Sequence, residues 1–294
     1  VSLQAEQTEF ARLFTELQQA DWIVDGLMGT GLKGPLNGLV ASLVAAANQS
    51  KARILAIDVP SGLGDDVPTD AVCIQADMTV TMGLLKRSMF HPSTRARCGS
   101  LFCVNPSFPP FLLQKVPSAA LLCERKACLP KLAIDEYKNS RSHVAIFGGS
   151  VAYSGAARLS AKACFAARAA LVSLYCDPDV YRLAACESPS VMVKIYEGQS
   201  IPAYGALLVG PGWGPGRESL LEKLFATGQN IVLDADGIRA YASLLACGRR
   251  PQHGPLILTP HLGELSCLLS SLYGDDHDRT SPNAFFESIQ RAAA

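Results

Sequence analysis

Between His143 and Ser150 the chain reads HVAIFGGS. An apolar run from His143 to Phe147 passes directly into Gly148-Gly149-Ser150. A long alanine-rich stretch with helical spacing follows, from about Ser154 to Ala170. A strand that hands over to a helix through glycine, with another strand after it, argues a parallel sheet with crossover helices. The pattern recurs downstream. Leu171–Tyr175 reads as a strand, and Ala206–Val209 as a strand ending in GPGWGPG. Glu218–Phe225 is helical. Ile231–Leu233 ends in DADG, and Leu256–Leu258 ends in TPHLGE before a helix through Leu269.

Upstream the logic repeats. Residues Ala5–Ala20 place Phe10, Leu13, Phe14 and Leu17 on one helical face. The strand pattern Asp21–Asp25 runs into GLMGTGLKGPLNG, and Leu36, Leu39, Val40, Leu43 and Val44 mark the next helix. Ile54–Ile57 is a strand ending in DVPSGLG, and Ala76–Met82 and Ser100–Val104 are further strands. Between Asn105 and Ser118 the text is NPSFPPFLLQKVPS, whose four prolines continue neither pattern and read as a linker. The expected fold is therefore α/β with two doubly wound domains, residues 1–118 and 119–294. No solenoid period is present.

The special residues fall after strands and before helices. In a parallel sheet all such junctions share the carboxyl edge, where ligands bind. Gly148-Gly149-Ser150, Gly210-Pro211-Gly212, Asp234-Ala235-Asp236 and Thr259-Pro260-His261 are expected on one edge. Asp25, the GTG turn and Asp58-Val59-Pro60-Ser61 are expected on another. Two sites are implied, one in each half.

Composition narrows the class. The chain has 294 residues, 49% of them hydrophobic, with 26 basic and 26 acidic side chains. Such a balance lacks the electrostatic footprint of a nucleic-acid or anionic-membrane binder. No apolar run approaches the roughly 20 residues that span a bilayer. VSLQAEQTEF has neither the basic nor the apolar region of a signal peptide, and its lack of an initiating Met raises a fragment as one reading. The ten cysteines form no CxxC pair and have no His near enough for a zinc module. They read as free or buried thiols in a reducing, cytoplasmic compartment, with metal or redox use the alternative.

Each motif alone is ambiguous. Gly29-Thr30-Gly31-Leu32-Lys33-Gly34-Pro35 lets backbone N–H groups approach a phosphate, yet it is neither a P-loop nor GxGxxG, and a tight turn fits it equally. Asp25 and Asp58 suit helix capping or turns. With Ser61 nearby they also suit a hard cation or a substrate hydroxyl. Asp234 and Asp236 carry the same two readings. A lone His such as His261 is more often structural than catalytic, and Glu264 suits orienting it or capping the helix.

In order, the motifs carry more. DGLMGTGLKGPL, AIDVPSGL and ADMTVTMGLLK resemble the carboxyl-terminal part of NAD(P)H-hydrate epimerases, here in a Rossmann-like setting. VAIFGGSVAYSGAA, VGPGWG, VLDADGI and ILTPHLGEL resemble ADP/ATP-dependent NAD(P)H-hydrate dehydratases, whose fold is ribokinase-like. Together, over most of residues 21–105 and 138–270, the chain resembles the bifunctional NAD(P)H-hydrate repair enzymes.

That resemblance implies epimerisation of the R and S hydrates at C6 and nucleotide-dependent dehydration of the S form. It implies Asp25 and Ser61 as potassium ligands, Gly29 to Pro35 as phosphate contacts, and Asp58 as ring contact and acid/base. Ala156, Gly212 and His261 match positions that hold the hydrated nucleotide. Lys86 matches a family position without an assigned role. ADP or ATP is the implied cosubstrate, with magnesium a further candidate and a homo-oligomer left open.

The sequence also departs from the pattern. The family's N-N-G-G-D-G loop and its G-T-G-D segment, whose Asp serves as base, do not occur, nor does the nucleotide-binding Lys-Gly segment before it. A family Lys-Gly reads Lys138-Asn139, and a family Gly-x-Gly reads Arg168-Ala169-Ala170, which is expected to crowd a close backbone approach. The expectation is that these 294 residues alone are impaired in both steps. The competing readings are a non-catalytic nucleotide-binding remnant and a ribokinase-like small-molecule kinase.

Overall fold

The structure, a computed structural model, describes residues 3–117, 120, 122, 129, 142–187, 189–274 and 281–293. The charged segment Asp135–Lys138, Lys138-Asn139 and the 118/119 boundary lie outside the described residues. The chain divides into two compact units, Val1–Leu122 with Asp278–Ala294, and Cys123–His277.

In the first unit the order is α1 (Leu3–Gln19), β1 (Trp22–Asp25), α2 (Gly38–Gln49), β2 (Arg53–Ile57), β3 (Met78–Met82), β4 (Ser100–Val104) and α3 (Pro110–Leu113). Short 3-10 turns occupy Arg87–Met89 and Arg95–Cys98. The strands form one parallel sheet in the order β1-β2-β3-β4. Alternation along the strands separates two faces. Ile54 and Ala56 lie on one and join Leu36, Val44, Ala47, Ile74 and Ala76 in a buried core that takes α2. On the other face Trp22, Val24, Ile57, Phe102 and Val104 are each at least 39% exposed. No element among the described residues covers that face. The proline-rich stretch is interrupted only by the single turn of α3, which has Pro at its first position, where a missing N–H costs nothing.

The second unit runs β5 (His143–Phe147), α4 (Ser154–Ala166), β6 (Leu171–Cys176), α5 (Pro178–Glu187), β7 (Met192–Ile195), β8 (Ala206–Val209), α6 (Glu218–Phe225), β9 (Ile231–Leu233), α7 (Asp236–Ala246), β10 (Leu256–Leu258) and α8 (Leu262–Tyr273). All six strands are parallel, in the order β10-β9-β8-β5-β6-β7. The sheet's central strands are buried on both sides. Phe147, Leu207, Val209 and Leu233 meet Leu221, Leu224 and Phe225 of α6 and Ile238 of α7. Ile146, Val172 and Leu174 meet Ala157 and Ala161 of α4 and Val180 and Ala184 of α5.

The strand order reverses between β5 and β8. A crevice opens outside the strand ends at such a reversal.

The elements α5, β7 and α7 have no counterpart in the sequence reading, and α4 stops earlier than expected. Arg168 explains the early stop. It adopts φ 71, and the N–H of Ala169 folds back to Cys164 O at 2.9 Å. This is a left-handed helix stop, a conformation that favours glycine. Glycine would take this conformation without the strain that a residue with a Cβ carries there.

The last helix, α9 (Pro282–Ala293), groups with the first unit, whereas a division at 118/119 would assign it to the second. Asn283 donates its N–H to Asp65 O at 2.9 Å and its Nδ2 to Asp66 Oδ1 at 2.7 Å. The ring of Phe285 meets His91 edge-on at 4.6 Å.

Candidate functional site

In the first unit β1 and β2 are neighbours, so their carboxyl ends bring Asp25 and the DVPSG turn to one edge. Asp25 is 2% and Ser61 1% exposed. Ser61 donates its N–H to Asp25 Oδ2 at 2.7 Å and its hydroxyl to Asp25 Oδ1 at 2.6 Å. The N–H of Met28 reaches Ser61 Oγ at 2.8 Å, and Met28 O lies 3.3 Å from the same oxygen. This latch fixes the base of the next loop.

Gly29 to Pro35 is mostly exposed, tied internally by Leu32 N–H to Gly29 O at 3.4 Å. A side chain at Gly29, Gly31 or Gly34 would meet nothing within 4 Å. Packing therefore does not demand these glycines. The loop enters α2, whose N-cap Asn37 makes no side-chain cap bond.

Asp58 stands one residue beyond β2, at φ 68. Its N–H bonds Val80 O at 2.8 Å, so β3 holds the turn. Oδ1 receives Met82 N–H at 3.0 Å, Thr81 Oγ1 at 3.1 Å and the Lys86 ammonium. Burial pushes this carboxyl up, but the Lys86 hydrogen bond, the Met82 N–H, the Lys86 charge and Thr81 together hold it below its usual value. Asp58 is thus ionised at neutral pH. No local signal joins Lys86 to Asp58, because 28 residues separate them and a lysine after a strand resembles an ordinary solvated one.

In the second unit the expected loops do meet. A Cβ on Gly148 would lie 2.4 Å from Pro211 O. Beyond the strand ends, Gly149 N–H bonds Pro211 O at 3.0 Å and Ser150 N–H bonds Gly212 O at 2.6 Å. Gly210 has φ 119, and a Cβ there would fall 1.8 Å from Asp234 O, so only glycine fits. Gly212, at φ 59, presses against Tyr153 O, which adjoins the first turn of α4 where Ala156 is exposed. The GPGWG and GGS loops and Ala156 are therefore one neighbourhood.

The DAD carboxylates are engaged. Thr259 donates to Asp234 Oδ1 at 2.9 Å, and Gly214 N–H donates to Asp236 Oδ2 at 2.9 Å. Between them Ala235 sits at φ 46, a strained conformation for a residue with a Cβ. Next to these loops a cavity of about 150 Å³ is walled by Phe147, Tyr175, Tyr196 and Trp213. Arg217 closes its rim through Nη2 bonds to both Asp177 oxygens, at 2.7 and 2.9 Å.

His261 lies two strands from GPGWG, about 10 Å at ordinary strand spacing. Its Nδ1 accepts Gly263 N–H at 3.0 Å and Glu264 N–H at 3.4 Å, which puts the ring proton on Nε2, 3.2 Å from Glu264 Oε1. Glu264 Oε2 accepts His261 N–H at 3.0 Å. Both readings of Glu264 hold at once: it caps α8 and orients the ring.

The NAD(P)H-hydrate dehydratase family model matches residues 144–290, half of the chain. The chain belongs to this family. The model for the YjeF-related protein N-terminus matches residues 2–88 of this dehydratase-family chain. A bifunctional NAD(P)H-hydrate repair enzyme of Coxiella burnetii is 32% identical over 264 residues, covering 86% of this chain and 53% of the relative. Its counterpart in Synechocystis is 28% identical, covering 95% and 55%. The chain thus spans about half the length of these relatives. Among solved structures, an ADP/ATP-dependent NAD(P)H-hydrate dehydratase of Bacillus subtilis, co-crystallised with ATP and magnesium, is 21% identical, covers 48% of this chain and 51% of its own, and has a TM-score of 0.42.

Proposed function

We propose that the first unit interconverts the R and S hydrates of NADH and NADPH at C6, and that the second removes water from the S hydrate with ADP or ATP as cosubstrate. Family membership and the names of the relatives support the substrate class. The observation that carries the reading is Asp58, a carboxylate held on the ligand edge with all its bonds on Oδ1. Beside it lie the Asp25–Ser61 latch and an open glycine loop.

The chemistry needs such a group. The ring nitrogen next to C6 expels the hydroxyl, and water returns to either face. Returning water must lose a proton and the departing hydroxyl must gain one, and Oδ2 of Asp58 is suited to take the proton in one direction and return it in the other. Gly29 to Pro35, leading to the bare N-terminus of α2, suits the dinucleotide phosphates.

The oxygens around Ser61 Oγ fit potassium. They comprise one carboxylate, one hydroxyl and the Met28 carbonyl, a hard donor set of low charge. Asp25 and Ser61 would hold the ion, whose charge would offset the phosphates. Magnesium would enter with the phosphates of the nucleotide.

In the second unit, Ala156 and Gly212 line one neighbourhood for the hydrate and His261 stands farther along the edge. The flat aromatic walls of the adjoining cavity suit a planar ring. Phosphorylating the C6 hydroxyl turns a poor leaving group into a good one, which calls for a carboxylate base and an anion cradle. The engagement of Asp234 with Thr259 and of Asp236 with Gly214 favours a second reading, in which this unit holds the nucleotide without turning it over. Incubating the chain with separated R and S hydrates and ADP or ATP tests both. The NADPH absorbance follows dehydration, chromatography follows R/S exchange, and calorimetry follows binding. Nucleotide-dependent recovery of NADPH supports the full reading. Binding without recovery supports the second, and neither binding nor exchange sinks both.

A further inference from the structure

We propose that Lys86 is the positioning residue of the first unit's site, pinning Asp58 through Oδ1 so that Oδ2 alone faces the C6 centre of a bound hydrate. The inference rests on the epimerisation reading above and assigns a role that reading lacks.

A lysine ammonium carries three N–H donors. In Lys86 one goes to Asp58 Oδ1, one to Thr81 Oγ1 at 2.7 Å and one to Met82 O at 3.2 Å. None is left for a substrate, so Lys86 is not the acid that protonates a leaving hydroxyl. It acts through Asp58.

Asp58 is held from several directions. Its backbone is set by φ 68 and by the bond to Val80 O at 2.8 Å. Its Oδ1 receives Lys86, the Met82 N–H and the Thr81 hydroxyl, the last of which also has Leu84 O at 3.4 Å as an alternative. Oδ2 has no partner among the described residues. Asp58 is held through one oxygen alone, whereas both oxygens of Asp177 are taken by Arg217. Here one oxygen is over-subscribed and the other left open on the edge where ligands bind.

The Lys86 and Asp58 side chains are 17% and 25% exposed, so water screens the pair less than it would a surface pair. Lys86 is the charged group acting on Asp58 among the described residues. The Met82 and Thr81 donors on β3 are neutral and remain when Lys86 is replaced.

Two measurements on the full chain test this separately. A carboxyl-carbon NMR titration follows Asp58 without any activity. In Lys86→Met its midpoint should rise by about 1–2 pH units, and Lys86→Arg should keep it low. If Lys86→Met does not fold, Lys86→Gln carries the same expectation. In R/S exchange, Lys86→Met should lower kcat about 100-fold with KM within about two-fold, and should move the acid limb of the kcat profile upward with the Asp58 midpoint. An unmoved Asp58 midpoint in Lys86→Met overturns the pinning. A pure KM effect overturns the positioning role. If the midpoint moves but the wild-type chain exchanges no hydrate, the epimerisation reading falls, and with it the catalytic part of the proposal.

Discussion

Ser61 grips both oxygens of Asp25, one with its backbone N–H and one with its hydroxyl, across 36 residues of sequence. The bond spans the two neighbouring strand ends and also anchors Met28 at the start of the glycine loop. Replacing Ser61 with Ala leaves a buried carboxylate short of one donor. The expected loss of stability is about 1–3 kcal/mol, read from urea unfolding. If these oxygens hold potassium, exchanging sodium for potassium should raise the unfolding midpoint of the wild-type chain and leave that of Ser61→Ala unchanged.

Against the opposing effect of burial, the Asp58 carboxyl is held below its ordinary value by its Lys86, Met82 and Thr81 donors, and the sign of its pH effect follows. A lowered folded-state pKa stabilises the fold above the unfolded value, near pH 4, and that contribution disappears as pH falls through the folded pKa. Asp58→Asn is the suitable comparison, since Asn tolerates the left-handed backbone. The urea midpoint of wild type should exceed that of Asp58→Asn above about pH 4, and the gap should close on acidification. A gap that widens below pH 4 would contradict the sign.

Arg168 ends α4 in a conformation that glycine adopts freely. Arg168→Gly removes that strain and forfeits contacts of an exposed side chain, which are worth little. Its unfolding midpoint in urea should rise, by about 1 kcal/mol of stability. The opposite experiment is Gly210→Ala. Its Cβ would fall 1.8 Å from Asp234 O at φ 119, so it should cost well over the roughly 1 kcal/mol expected of Gly216→Ala, where φ is 74 and the space is open.

Thiol labelling should divide the cysteines by burial. Cys103, Cys186, Cys247 and Cys267 are exposed. Burial pushes Cys98 and Cys176 up to about 11, which suppresses their thiolates. Mass-spectrometric mapping under native conditions should find the exposed four alkylated well before Cys98 and Cys176.

Much of this arrangement was legible in the sequence. Strands ending in glycine or aspartate place Gly148, Gly210, Asp234 and Thr259 on one edge, because that inference needs only parallel strands and their direction. What stayed hidden depends on partners far apart in the chain. The Lys86–Asp58 pair, the Arg217–Asp177 lock and the seat of α9 on Asp65 and His91 have no local signal, since periodicity reports which face a residue takes and not what it meets. The short strand β7 and helix α5 were missed for another reason. Polar residues and a proline break the runs around them, so neither period stands out over so few residues. His261 shows the limit in the other direction, because a lone histidine after Thr-Pro proved to be a helix cap as well as a site candidate.

The most direct measurement is the rate at which the purified chain equilibrates the separated R hydrate of NADPH with the S form, wild type against Asp58→Asn. Wild type is expected to exceed the protein-free rate, and Asp58→Asn to lose about 100- to 10,000-fold of that catalysis while still folding. Equal rates for the two proteins would contradict the assignment of Asp58 as the base.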